Sequence, residues 1–351
     1  MLETPKTSVA ISAKASPAVH TFNVYGYRFS IQGESSSLQG VLEDFAFFAD
    51  TNGPGKVSIE LVNDHPPFAS VPHVDAAVYT PRNVVYRDGS ARYIDYHGRG
   101  LGIHDHATGD FRVFSKDADL LYETAYLFLL SQIGQHLDKR GLHRIHALGI
   151  AIKGRAVLVL LPMGGGKSTL ALDLLKNPAV KLLSDDSPYI DRQGQLWSYP
   201  LRLGLLPGSE RFIPPNQRRL IQRMEFGPKY LVNYSFFKDR VCPSAEPGFV
   251  FLGARTLAPT CRIDEVGVGA ALRACVSNCI VGMGLFQGLE FILQSSALEL
   301  LNQSTVGASR LRNCYKLLRR SQLRRIHLGR DRELNARTLF EYVDSRLGES
   351  S

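Results

Sequence analysis

One stretch constrains the fold more than any other. Arg155 to Leu161 (RAVLVLL) runs into Pro162-Met163-Gly164-Gly165-Gly166-Lys167-Ser168-Thr169, and LALDLLK follows. An apolar run of strand length, a triple glycine and an apolar run of helical spacing predict strand, tight loop and helix in direct succession. Glycines remove Cβ atoms, so backbone N–H groups can turn inward around an oxyanion. The helix start adds partial positive charge. Met163, Gly164, Gly165, Gly166, Lys167, Ser168 and Thr169 therefore read as a phosphate-binding loop. Lys167 reaches phosphate oxygens there, and the Ser168 hydroxyl suits Mg²⁺. The usual pattern, GxxxxGK[ST], has its first glycine where this chain has Leu161. Pro162 keeps Leu161 extended, so the strand is expected to run one residue further.

Downstream, AVKLLSDD predicts a short strand ending in Asp185 and Asp186, 18 and 19 residues after Lys167. Two adjacent acids permit a division of labour, in which one binds metal and the other takes a proton from an acceptor hydroxyl. Both can serve only where the strand is ending, because a strand alternates its faces. Upstream, His146 opens a predicted strand (HALGIAI, to Ile152), 21 residues before Lys167. Lys153-Gly154 turns it into the strand that feeds the loop.

This series resembles the HPr kinase/phosphorylase family, specifically its C-terminal catalytic domain. The likeness is carried by His146, Ala151–Leu161, Gly164-Gly165-Gly166-Lys167-Ser168, Leu170–Leu175 and Leu182-Leu183-Ser184-Asp185-Asp186, and it covers roughly residues 143–205. The resemblance implies an α/β P-loop kinase domain of the HPr kinase / phosphoenolpyruvate carboxykinase-like type, with a partly mixed sheet. It implies that Lys167 and Ser168 hold ATP and Mg²⁺, that Asp185 helps hold the metal and that Asp186 is general base toward a serine hydroxyl. It places His146 near the reacting phosphate and implies an oligomeric assembly. The family's Glu-Ile-Arg-Gly-type segment supplies a further metal carboxylate. Tyr199-Pro200-Leu201-Arg202-Leu203-Gly204 keeps an Arg and a Gly there but has no Glu. The implied protein is thus a divergent HPr kinase-like enzyme. Its expected partner is a peptide or protein carrying an acceptor serine, and relatives of this kind include tailoring kinases of ribosomally made peptides. Three alternatives stay open: a kinase for free serine or a similar alcohol, a plain P-loop ATPase, and a nucleotide sensor without transfer.

A transferring phosphoryl group needs cationic stabilisation beyond the metal. Arg202, Lys229 and Arg240 follow Gly/Pro-rich or aromatic stretches and are candidates, the first two being counted with the catalytic set. His104-Asp105-His106 places two imidazoles on one strand face without a third ligand. The cysteines are Cys242, Cys261, Cys275, Cys279 and Cys314. They form no CxxC pair and read as reduced core thiols.

The rest of the 351 residues is ordinary globular sequence. Hydrophobic residues make up 44%, charged residues 21%, and the formal net charge is +8. The longest apolar run, Ala156 to Met163, is far short of the roughly 20 residues of a membrane span. The N-terminus lacks a secretory apolar segment. A cytoplasmic protein is expected, with no membrane partner. Residues 310–346 hold eleven Arg/Lys against four Asp/Glu but no nucleic-acid reader motif, and read as a solvated helix face. Expected organisation is a flexible tail (1–18), a strand-rich N-terminal domain (19–116), a connecting helix (117–142) and the P-loop catalytic domain (143–351). In the N-terminal part, HTFNVYGYRFSI alternates around Gly26, KVSIELV alternates, and Asp88-Gly89 and Thr108-Gly109-Asp110 mark hairpins. Helices are expected over Ala297–Leu301, Leu311–Leu318 and Ala336–Leu347.

Overall fold

The computed structural model describes residues 18–33, 36–223, 227–281 and 297–348. All but the last residue of the expected tail lies outside them. The chain is mixed α/β, with three sheets among the described residues. The first comprises β1 (His20–Val24), β2 (Tyr27–Gly33), β3 (Val57–Val62), β4 (Ala76–Tyr79), β5 (Val84–Asp88), β6 (Ala91–Asp95), β7 (Gly100–Asp105) and β8 (Phe111–Ser115). Their order is β1-β2-β3-β8-β7-β6-β5-β4. β3 runs parallel to both neighbours, while the predicted hairpins are antiparallel. The first hairpin turns at Tyr25 (φ +50°) and Gly26 (φ +93°). Two left-handed residues in sequence match the right-handed twist of the strands, and Asn23 Oδ1 accepts the Gly26 N–H at 2.8 Å.

Helix α1 (Ser36–Asp44) and the long helix α2 (Ala118–Lys139) cover this sheet. The Asp117 side chain caps α2 by accepting from the N–H groups of Asp119 and Leu120. Gly141, at φ +75°, follows its end. Leu121, Ala125, Phe128, Leu129, Ile133 and Leu137 recur at helical spacing and are buried. The core they enter also takes in Tyr189, Tyr199, Leu201, Ile221 and Leu231 from the second half of the chain. The N-terminal sheet, which ends at Ser115, therefore closes its core with residues that follow it by some 75 to 115 positions.

The second sheet contains β9 (His143–Arg144), β10 (Leu148–Ile152), β11 (Arg155–Leu160), β12 (Val180–Ser184), β13 (Tyr189–Ile190) and β14 (Leu196–Trp197). β15 (Leu203–Leu205), β16 (Arg218–Arg223) and β17 (Gly227–Val232) form a separate small sheet. β18 (Ser244–Arg255), β19 (Arg262–Glu265) and β20 (Gln322–Leu328) complete the second. β18 is its spine, parallel to β11 on one side and to β20 on the other, whereas β10 is antiparallel to β11 and β12. The sheet is mixed. Successive residues of β11 point to opposite cores: Val157 and Val159 pack with α3 (Lys167–Leu175) and α6 (Arg332–Gly348). Leu158 and Leu160 pack with α4 (Val268–Val276) and α5 (Ala297–Arg319). A strand covered on both faces reads as a continuous apolar run, and each such side chain adds about 1.5–3 kcal/mol on burial.

Three expectations are corrected. His146 precedes β10, which starts at Leu148, because its backbone bonds to Asn278 outside the sheet. Ala297–Leu301 and Leu311–Leu318 belong to one helix. No proline interrupts the polar residues between them, and the single Gly307 costs only about 1 kcal/mol. The Arg324-Arg325 pair lies on β20 rather than on a helix face.

The two halves are also joined by charge. Asp44, at the buried end of α1, is held by Arg202 Nη1 at 3.1 Å and Arg219 Nη2 at 2.8 Å. Tyr122 donates its hydroxyl to the same carboxylate. Removing one partner of a buried ion pair strands the other charges, so Asp44→Ala should cost about 3–5 kcal/mol. Denaturant unfolding measures this. A loss below about 1 kcal/mol would show that Arg202 and Arg219 reach solvent without it.

Candidate active site

The loop leaves β11 at its carboxyl end. Gly164 (φ +73°) and Gly166 (φ +94°) are left-handed. A β-carbon on Gly165 would fall 2.9 Å from the Pro162 carbonyl oxygen. The tight turn thus needs glycine for conformation and for space. Gly166 caps α3 without a side chain, leaving the first N–H groups of the helix facing the loop. Met163 is largely exposed, and Thr169 lies in the first turn of α3. Leu161 is buried under the loop, but β11 ends at Leu160, one residue short of the expected strand end.

Lys167 is buried, and its Nζ donates to Leu161 O (2.9 Å), Pro162 O (3.2 Å) and His146 Nε2 (2.9 Å). All three of its protons are used. Burial lowers its pKa, opposed by Asp186 and Asp185. Burial also lowers that of His146. A neutral imidazole accepting at Nε2 carries its proton on Nδ1. That nitrogen lies 3.2 Å from Asp186 Oδ1, close to it but without the alignment of a hydrogen bond.

The two aspartates differ sharply. Asp185 is buried; it accepts from Ser168 Oγ at 2.8 Å and from the Gly204 N–H. Burial, with the like charge of Asp186 beside it, raises its pKa to about 6. The Asp186 side chain is 55% exposed. The chain thus presents one enclosed carboxylate against a hydroxyl, the hard oxygen pair a magnesium ion takes together with water and phosphate oxygens. It presents a second carboxylate to the solvent. Among the described residues, no group of three or more His, Cys, Asp or Glu side chains could hold a metal by itself.

Lys229 and Arg202 are placed differently from each other. Lys229 crosses over Gly204, where a β-carbon would fall 2.0 Å from its Cε. Burial lowers its pKa, reinforced by Arg202, while Asp185 and Asp186 pull it up. The segment Tyr199 to Gly204 therefore brings an N–H to Asp185 and leaves room for a cation near it. Arg202 is committed elsewhere, to Asp44 and to the face of Tyr126, 3.6 Å from the ring centroid. Arg240 is spent on the carbonyls of Asn177 and Val180.

The remaining candidates are structural. His104 is buried against His106, with ring centroids 4.1 Å apart, and burial lowers its pKa to about 3. Cys275, Cys279 and Cys314 are buried thiols. Hydrogen bonding among these thiols, with burial, raises the pKa of Cys279 and Cys314, the opposite of a nucleophile. A cavity of about 400 Å³ adjoins the loop, lined by Leu160, Pro162, Leu252, Ala254, Ala274 and Asn278 among others.

No protein-family model and no curated protein matches this chain. Among solved structures, the HPr(Ser) kinase/phosphatase from Coxiella burnetii matches at 14% identity. The match covers 59% of this chain and 99% of that one, with a TM-score of 0.27. A likeness of that size carries no weight for fold or function, which rest on the geometry above. No described helix is long and apolar enough to cross a membrane.

The raised pKa of Asp185 has a consequence for stability. A carboxyl whose folded value exceeds its unfolded value contributes most below the unfolded one, and the contribution is lost as pH rises through the folded one. Asp185→Asn removes the buried charge. Without divalent cations it should stabilise the chain by about 1–3 kcal/mol at pH 8, with the gain gone by about pH 4. Thermal unfolding at both pH values tests this, and an equal effect at both would contradict it.

Proposed function

We propose that the chain is an ATP- and Mg²⁺-dependent phosphotransferase that moves the γ-phosphoryl group to a hydroxyl. The acceptor proposed is a serine of a peptide or protein. One observation carries the reading: at the mouth of a phosphate loop, Asp185 is enclosed against Ser168 while its neighbour Asp186 faces solvent. A plain nucleotide-binding loop needs only the first.

The roles follow from position. The N–H groups of Gly164 to Lys167 surround the phosphates. Ser168 and Asp185 hold Mg²⁺, which when bound offsets phosphate charge. Lys167 exchanges its two loop carbonyls for phosphate oxygens. His146 stays neutral and keeps its Nδ1 proton toward Asp186. Asp186 then takes the proton of the incoming hydroxyl. Lys229 adds positive charge beside the two acids. Arg202 acts through Asp44 and Tyr126, positioning the segment that contacts Asp185. The family resemblance over residues 143–205 supports the serine acceptor and a cytoplasmic setting.

γ-labelled ATP with Mg²⁺, offered to a panel of serine peptides, the protein HPr and free serine, tests the reading. Label should appear on one acceptor. Asp186→Asn should slow transfer by about 10²–10⁴-fold with ATP still bound, and Lys167→Ala should abolish it. Free phosphate released equally by wild type and Asp186→Asn would indicate an ATPase. Tight ATP binding with neither labelled acceptor nor released phosphate would indicate a sensor.

A further inference from the structure

β11 and β18 are parallel neighbours, so their carboxyl ends lie on the same side of the sheet. In α/β sheets, ligands bind outside the carboxyl ends of parallel strands. The end of β11 is the phosphate loop. The end of β18 is Arg255, a residue no sequence pattern singles out.

Its backbone is fixed: Arg255 pairs with Leu328 of β20, and the next N–H, of Thr256, donates to Leu328 O. Its side chain is not. Arg255 is exposed and has no hydrogen bond or ion pair among the described residues. The guanidinium reaches the loop, since a β-carbon on Gly166 would lie 3.3 Å from Nη1. A cation thus stands over the residue whose peptide opens α3, where the loop amides and the helix start are already positive. Neither acid of the site makes an ion pair with it. Asp185 is engaged by Ser168 and the Gly204 N–H, and Asp186 faces His146. A guanidinium over the loop with no carboxylate partner among the described residues suits a polyanion, and its fork matches phosphate oxygens.

We infer that Arg255 is a phosphate-binding residue that grips the polyphosphate of the nucleotide and favours di- and triphosphates over monophosphates. This rests on reading the loop as a nucleotide site. Lys167 reaches the phosphates from within the loop, and Arg255 from the neighbouring strand.

The test is competition against a fluorescent ATP analogue by ATP, ADP and AMP, using wild type, Arg255→Ala, Arg255→Lys and Lys167→Ala. Arg255→Ala should weaken ATP and ADP by tenfold or more and AMP by less than threefold, with unchanged thermal unfolding. Arg255→Lys should fall between, keeping charge but losing the fork. If Lys167→Ala loses ATP and Arg255→Ala does not, the inference falls and the nucleotide site stands. An equal loss for all three nucleotides would overturn it too, indicating a contact to the nucleoside. If wild type binds none of them, or neither alanine variant changes ATP binding, the nucleotide reading falls and takes Arg255 with it.

Discussion

Two carboxylates in sequence, at the end of a buried strand, repel each other, and the surrounding structure is organised around that repulsion. Water cannot screen Asp185. Instead a hydroxyl and a backbone N–H donate to it, Lys229 and Lys167 supply opposite charge, and Asp186 is turned outward. The same contacts explain why Lys167 lies folded under its own loop. Its ammonium needs three acceptors in a partly dry site, and Leu161, Pro162 and His146 provide them. Nucleotide phosphates would replace the carbonyls with stronger, charged acceptors, so the resting arrangement favours exchange over permanence.

The sheet supplies the geometry. β11 is buried on both faces, which fixes the point where the loop departs. β18 beside it fixes a second point on the same rim. The antiparallel β10 brings His146 back to that rim, and β12 brings the aspartates. Four chain segments therefore converge at one edge of a mixed sheet, and each delivers one or two side chains of the candidate site.

How much of this was legible beforehand depends on the range of the interactions. The loop, its helix and the acidic strand end are written in contiguous residues, where glycine freedom and apolar periodicity are local properties. The hairpins at Asp88-Gly89 and Thr108-Gly109-Asp110 were legible for the same reason. Arg202 was not. Its place follows from Asp44, which lies 158 residues earlier and carries no mark of its partner. Gly204 seemed a remnant of a family motif, yet its meaning is the clearance it gives Lys229. Arg255 ends an apolar strand without any local signature, because only the pairing of β18 with β11 brings it to the loop. The long α5 was misread as two helices because its middle is polar, and helical periodicity is invisible where no apolar face exists.

The core shared between the N-terminal sheet and residues 189–231 also bears on how the chain is made. Synthesis delivers α2 and the eight-stranded sheet first. Tyr189, Tyr199, Leu201, Ile221 and Leu231 arrive only after some fifty to ninety further residues have been added. At ribosomal speeds of about 5–20 residues per second, that interval lasts several seconds. During it the sheet exposes the apolar surface those residues will cover, and Asp44 waits without Arg202 and Arg219. The N-terminal sheet thus completes its core only with residues made after it, so its apolar face depends on the later half of the chain for its cover.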